Sequence, residues 1–266
     1  MKKLLVLFTA AVTLILLGCS DKTSNPVSQD LQGKSNLKIY LVDSPSSIDS
    51  LIIFVKRVEV HKSGSDSTSG WYVINNDLRR FDLLQLRNGA SAVLGDTVLE
   101  PGQYSQIRLI LSDGNYAVDQ GIQHKLTVPS GFQTGIKLNH EFTLEPNNLY
   151  ELVLDFNVDK SVHVTGNGKY MMKPVIRVTP LITSGTISGQ VLPKDAQAKV
   201  FTMVGSDTVS TYPDSSGFFK IMTLPQGMYD VHFFPDTSKY RDSTLVGVPV
   251  LANQNTDLGV IELESK

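Results

Sequence analysis

The sequence predicts an all-β protein: two antiparallel β-sandwich-like domains behind an N-terminal export signal and a polar tether. Three observations carry that expectation. From Leu37 onward, apolar and polar residues alternate over many short runs, the period of a half-buried strand. Clusters of Gly, Pro, Asn, Asp and Ser punctuate those runs. No long stretch carries the apolar spacing of an amphipathic helix.

The elements follow in order. Lys2 and Lys3 precede the apolar run "LLVLFTAAVTLILLG", which ends at Gly18, the pattern of a secretory signal peptide over residues 1–18. "LLGC" (Leu16 to Cys19) resembles the bacterial lipobox, which implies cleavage before Cys19 and lipid on its sulfur. Cys19 is the single cysteine of the chain, so no internal disulfide can form. The same resemblance makes Ser20 a signal for the outer membrane, since lipoproteins kept at the inner membrane carry Asp there. Residues 19–36 are rich in Ser, Asn, Asp and Gln, which predicts a disordered tether. Removal of residues 1–18 takes two of the 24 basic residues and none of the 26 acidic ones, leaving a net charge of −4. That balance excludes a nucleic-acid partner.

A first domain is expected over 37–181. Its candidate strands are "LKIYLV" (37–42), "SLIIFVKRVEVH" (50–61), "WYVI" (71–74), "QYSQIRLIL" (103–111), "IQHKLTV" (122–128), "LYELVLDFNV" (149–158), "SVHVT" (161–165) and "KYMMKPVIRVTPL" (169–181). In the sixth of these, Tyr150, Leu152, Leu154, Phe156 and Val158 share one face, while Glu151, Asp155 and Asn157 take the other, solvent face. Asn167-Gly168 predicts a type I′ hairpin turn, and "FDLLQLRNGASAVLG" (81–95) a short helical turn. "TPLITSG" (179–185) marks a boundary, after which short strands resume and predict a second sandwich over 184–266.

One phrase occurs twice: "LEPGQYSQIRL" (99–109) and "LPQGMYDVHFF" (224–234). Pro fixes a turn, Gly102 or Gly227 can take positive φ, and Tyr104 or Tyr229 opens a strand against the core. The phrase is expected to be strand-entry punctuation, without chemistry.

Residues 185–263 resemble the carboxypeptidase regulatory-like domain, a transthyretin-like sandwich grouped with carbohydrate-binding-like folds. The matching phrases are "SGTISGQV", "DSSGFFKIMTLPQGMYDV" and "LGVIEL". Residues 37–180 resemble an uncharacterised bacterial lipoprotein family, domain-of-unknown-function family 4382. There the matches include "IIFVKRVEVHKSG", "FDLLQLRNGASAVLGDTVLEPGQYSQIRLIL" and "GNGKYMMKPVIRV". This family implies no established activity.

Catalytic patterns are missing from the sequence: no Gly-x-Ser-x-Gly, no His-Glu-x-x-His, no phosphate loop. The protein is therefore expected not to be an enzyme and to need no cofactor. His61 and His163 are expected at the surface or half-buried. Asp155, Asn157 and Asp159 alternate as calcium ligands can, yet Lys160 and Gly166 stand where a calcium loop needs Gly and Glu, so no metal site is expected. Trp71 and Tyr72 follow the polar loop "SGSDSTSG" and are the candidate ligand-binding residues, as a sugar platform; core packing is the competing expectation for Trp71. The expected function is non-catalytic binding, adhesion or scaffolding at the envelope, with membrane contact through the lipid and a glycan or another envelope protein as partner. Carbohydrate binding in polysaccharide handling is the alternative.

Overall fold

The computed structural model describes residues 31–266 except Pro45, residues 130–133 and Thr237. The signal peptide, Cys19 and most of the tether lie outside the described residues. Leu31–Lys266 form one compact unit.

The first module contains β1 (Ser35–Ser44), β2 (Ser50–Lys62), β3 (Trp71–Asn75), β4 (Arg79–Asp82), β5 (Ala92–Leu99), β6 (Gly102–Leu111), β7 (Tyr116–Asp119), β8 (Ile122–Thr127), β9 (Ile136–Leu144), β10 (Leu149–Asn157), the one-turn helix α1 (Val158–Ser161), β11 (Val162–Val164), β12 (Tyr170–Met172) and β13 (Ile176–Pro180). Four strands form one sheet in the order β13-β10-β1-β5. The larger sheet runs β11-β12-β8-β7-β2-β6-β9, with β3 and β4 also pairing with β2. Leu37, Ile39, Leu41, Leu152, Leu154 and Phe156 of the first sheet meet Leu51, Ile53, Val58, Val60, Ile107 and Leu109 of the second in one buried cluster. Alternation along each strand puts these residues on the facing sides.

The second module contains β14 (Ser184–Leu192), β15 (Lys199–Val204), β16 (Asp207–Thr211), β17 (Phe218–Pro225), β18 (Gly227–Phe234), β19 (Ser243–Val250) and β20 (Asn255–Glu262). Sheets β17-β14-β20 and β16-β15-β18-β19 enclose a separate cluster around Ile187, Val200, Phe219, Val231 and Phe233. The protein is thus an all-β sandwich architecture. Pairing is mainly antiparallel, with parallel exceptions at β1–β10, β8–β12 and β14–β20.

Several local expectations change. The tether ends sooner than expected, because β1 already begins at Ser35 and Asn36 donates to the Asn148 carbonyl at 2.9 Å. "KYMMKPVIRVTPL" is two strands in different sheets. Pro174 lacks an amide and restricts Lys173, so β12 pairs with β8 and β11 while β13 pairs with β10. At the β11–β12 hairpin only Gly168 has positive φ (+75°), and its amide donates to the Thr165 carbonyl. That is a type I turn closed by a left-handed glycine rather than a type I′ turn. The helical turn within 81–95 is a 3-10 turn at Leu83–Gln85, held by burial of Leu83 and Leu84.

The repeated phrase has a common geometry. The Tyr104 hydroxyl donates to the Glu100 carbonyl at 2.9 Å, and the Tyr229 hydroxyl to the Pro225 carbonyl at 2.7 Å. Each ring therefore reaches back four residues and closes its own turn. The left-handed glycine is present only in the first copy, where Gly102 has φ +135°.

Candidate functional site

Two polar clusters stand out, one on the outer face of the larger sheet and one where the modules meet. The first is built on β2, β3 and β6. Registers His61↔Trp71, Glu59↔Val73 and Glu59↔Arg108 place these side chains side by side. Glu59 is 4 % exposed and binds Arg57 at 2.9 Å and Arg108 through both Nε and Nη2. The Arg108 guanidinium lies over the Trp71 ring at 3.9 Å, a cation on the ring's electron-rich face. The Trp71 indole N–H donates to the Ser67 carbonyl at 3.0 Å. His61 Nε2 is 3.0 and 3.1 Å from the Asp66 and Ser69 carbonyls, so that nitrogen carries the proton. Trp71 and His61 thus pin the polar 63–70 loop to the sheet.

This geometry bears on the sequence candidates. Trp71 is half-buried and outside the core, on the face away from it, with one ring face occupied by Arg108. Tyr72 points inward and meets Tyr104 edge-on at 6.1 Å. Consecutive strand residues face opposite ways, so Trp71 and Tyr72 cannot form one platform. His61 is buried (8 % exposed), whereas His163 is exposed.

The second cluster corrects the expectation for Asp155, Asn157 and Asp159. Asp155 does not face solvent; it is 6 % exposed, because the second module covers that side of β10. Its carboxylate accepts from Arg177 at 2.7 Å and from Ser44 Oγ at 3.2 Å. Arg177 continues to the second module, donating to the Thr223 carbonyl at 2.9 Å and to Thr223 Oγ1 at 2.7 Å. Asn157 caps α1 through the Lys160 amide at 2.9 Å. Asp159 accepts from the Ser47 amide and faces Lys199 across the module boundary at 4.0 Å. The three groups are divided among separate structural tasks. Among the described residues no group of three His, Cys, Asp or Glu is placed to hold a metal ion.

Asn88 joins this seam, and sequence reasoning missed it. It has φ +54°, which projects its side chain out of the loop. The amide donates to the Tyr212 carbonyl at 2.8 Å and accepts from Thr211 Oγ1 at 2.5 Å and from the Lys220 amide at 3.2 Å. It bridges β16 and β17, which belong to the two different sheets of the second module. The signal was present in "RNG", since Asn before Gly favours left-handed backbone.

Beside that loop lies Asp43, 7 % exposed, its amide bonded to the Leu86 carbonyl. Neither carboxylate oxygen is in hydrogen-bonding geometry with a donor. Burial first, then the charges of Asp155 and Asp159, hold its carboxyl well above the usual carboxylate range; the Arg87 guanidinium pulls the other way. The folded state therefore binds a proton more tightly than the unfolded chain. Its stability falls as pH rises from about 4, the unfolded value, through the raised folded value. Asp43→Asn removes this dependence and raises stability at pH 8, read as urea midpoints at pH 5 and 8. Parallel profiles for both proteins would refute it.

The second module exposes apolar side chains on the outer face of its four-stranded sheet. Met203, Phe234, Met228 and Val246 are 43, 45, 67 and 78 % exposed. Phe201 stacks between His232 and Phe234, with centroids 4.8 and 5.4 Å apart.

Comparisons with known proteins place the first module. No curated protein matches the chain. A type II cohesin–X–dockerin complex from Acetivibrio cellulolyticus is 22 % identical over 30 % of this chain and 58 % of that one, with a TM-score of 0.24. The Bacillus anthracis TIE protein is 13 % identical over 88 % of this chain and 34 % of that one, with a TM-score of 0.26. The shaft pilin SpaA from Lactobacillus rhamnosus GG is 9 % identical over 88 % and 98 %, with a TM-score of 0.25. The chain thus spans 58 % or less of the first two. A family model described as a domain of unknown function, DUF4382, matches residues 34–174, more than half of the 266 residues, and the chain belongs to that family.

Proposed function

We propose that the protein is a non-catalytic binding or scaffolding protein, anchored to the envelope by lipid on Cys19, that docks a protein partner on the outer face of its second module. One observation carries the reading: Met203, Met228, Phe234 and Val246 stand 43–78 % exposed on one sheet face. Exposed large apolar side chains gathered on one sheet face, here with Asp230 and His232 among them, are the kind of surface that serves protein–protein contact. The polar clusters support it from the other side. Glu59, Arg108, Asp155, Arg177 and His61 are committed to one another or to main chain, as framework groups are.

A photo-crosslinking residue at Met228 or Val246 in the full-length chain, expressed in its own cells, tests this. Both positions are expected to trap the same envelope protein, and Phe234→Asp to abolish the adduct. A control at Gln123, exposed on β8 of the first module, should trap nothing. Adducts equal at all three positions, or none, overturn the reading. The rival carbohydrate reading draws on the Phe201, His232 and Phe234 row. It gains if glycan-array binding is found and is lost in Phe201→Ala.

A further inference from the structure

The end of the molecule where the described chain enters carries further exposed apolar side chains. Lys34 accepts from the Asn147 amide at 2.7 Å, and the Gly33 amide donates to Asn147 Oδ1 at 2.8 Å. The first described residues are therefore stitched to the 145–149 turn. That turn ends in Leu149, 43 % exposed. A groove of about 370 Å³ runs from Leu149 past Tyr150 to Leu181, Ile182 and Asn253. Ile182 is 63 % exposed, and the 3-10 turn Leu181–Thr183 buries none of its residues. Leu251, 48 % exposed, belongs to the turn that bonds to Ser184 through the Asn253 amide at 2.8 Å. Both modules thus contribute branched aliphatic side chains to one end, and none of the three packs into either core.

The chain outside the described residues says what lies opposite. Cys19 precedes Leu31 by twelve residues. Twelve residues reach at most about 40 Å when fully extended. Lipid on Cys19 therefore holds a bilayer close to this end at high effective concentration, where a surface too weak to bind alone still docks. The rim is acidic: Glu145 and Glu151 line the groove, and none of its lining residues is basic. An anionic lipid surface is repelled by such a rim, and a zwitterionic one is not.

We propose that this end is a bilayer-docking face, in which Leu149, Ile182 and Leu251 settle among the headgroups of a zwitterionic membrane that the lipid on Cys19 brings within reach. The proposal rests on the lipidation put forward above. Docking fixes the orientation of the unit, so the membrane sees the 145–149, 181–183 and 251–254 turns.

Depth-dependent quenching tests it. Ile182→Trp is made in a Trp71→Phe background, giving one reporter at the docking face. Ile122→Trp in the same background is the control; it is 61 % exposed at the β7–β8 hairpin, by the Ser50 end of β2, whereas the docking face lies toward the Lys62 end. Full-length acylated protein is reconstituted in phosphatidylcholine vesicles with shallow brominated acyl chains. Quenching at position 182 is expected to exceed that at position 122 at least twofold, and to fall in phosphatidylglycerol. Adding Leu149→Asp and Leu251→Asp is expected to bring position 182 down to the control. Mass spectrometry of the same sample separates the two layers of the argument. Acylated protein with equal quenching at both positions overturns the docking face and leaves the anchor standing. A mature N-terminus without acyl chains overturns both. Stronger quenching in the anionic vesicles overturns the assignment to a zwitterionic surface.

Discussion

Arg177→Ala destabilises the protein by about 3–5 kcal/mol, the usual cost of removing one member of a buried ion pair. The buried Asp155 carboxylate is then left with only Ser44 Oγ to satisfy it, and the second module loses both bonds to Thr223. Because Arg177 reaches across the seam, the loss is also expected to change the form of unfolding. Wild-type protein should melt in one calorimetric transition and the variant in two, the β14–β20 module separating from the first. Asp155→Leu combined with Arg177→Met should recover most of the stability, since an apolar pair removes the charge that the single variant strands. A single-variant loss below about 1 kcal/mol would show that the pair is hydrated and contributes little, as surface pairs do.

Arg177 and Asp155 also mark how far the sequence could be read. The alternation that put Leu152, Leu154 and Phe156 on the core side of β10 is a property of one strand, and it was legible. That the opposite face is also buried depends on a module that begins at Ser184 folding back against it, which leaves no periodic trace in "LYELVLDFNV". The same limit applies at Trp71 and Tyr72. Their adjacency suggested a shared platform, and strand geometry alone forbids it. The Arg108 stacked on Trp71 comes from β6, so the two meet only through the β2–β3 and β2–β6 registers, the first with one irregularity and the second with two. Lys173-Pro174 was readable as a break, because proline acts locally. The left-handed Asn88 was readable as a turn, but its three partners in the second module were not. Which sheet each strand would join was beyond local pattern too, as the parallel β1–β10 pairing illustrates.

Tyr104→Ala should cost about 3–5 kcal/mol, the range for removing a large buried ring. Tyr104 is fully buried, stacked on Phe142 at 5.4 Å and met edge-on by Tyr72 at 6.1 Å, so neighbours cannot readily collapse into the gap. Tyr104→Phe separates the ring from its hydroxyl. It keeps the packing and loses only the bond to the Glu100 carbonyl, at about 1 kcal/mol. Tyr229→Ala should cost less, because its ring is only half-buried at the rim of the second core. Chemical denaturation of the four proteins ranks them. Equal losses for Tyr104→Ala and Tyr104→Phe would mean that the hydroxyl, not the ring, holds the turn.

The Asn88 contact has a consequence for what could stand in the second module's place. Two of its three bonds go to main chain, the Tyr212 carbonyl and the Lys220 amide, and Arg177 likewise reaches the Thr223 carbonyl. Main-chain groups are the same whatever side chains surround them. The first module therefore reads the outline of a sandwich edge more than its sequence, in the way a socket accepts any plug with the right pins. A foreign β-sandwich that presents two carbonyls and one amide at this spacing could be grafted after Thr183 and still seat rigidly. The joint constrains the identity of its downstream cargo at very few positions, Thr211 and Thr223 chief among them.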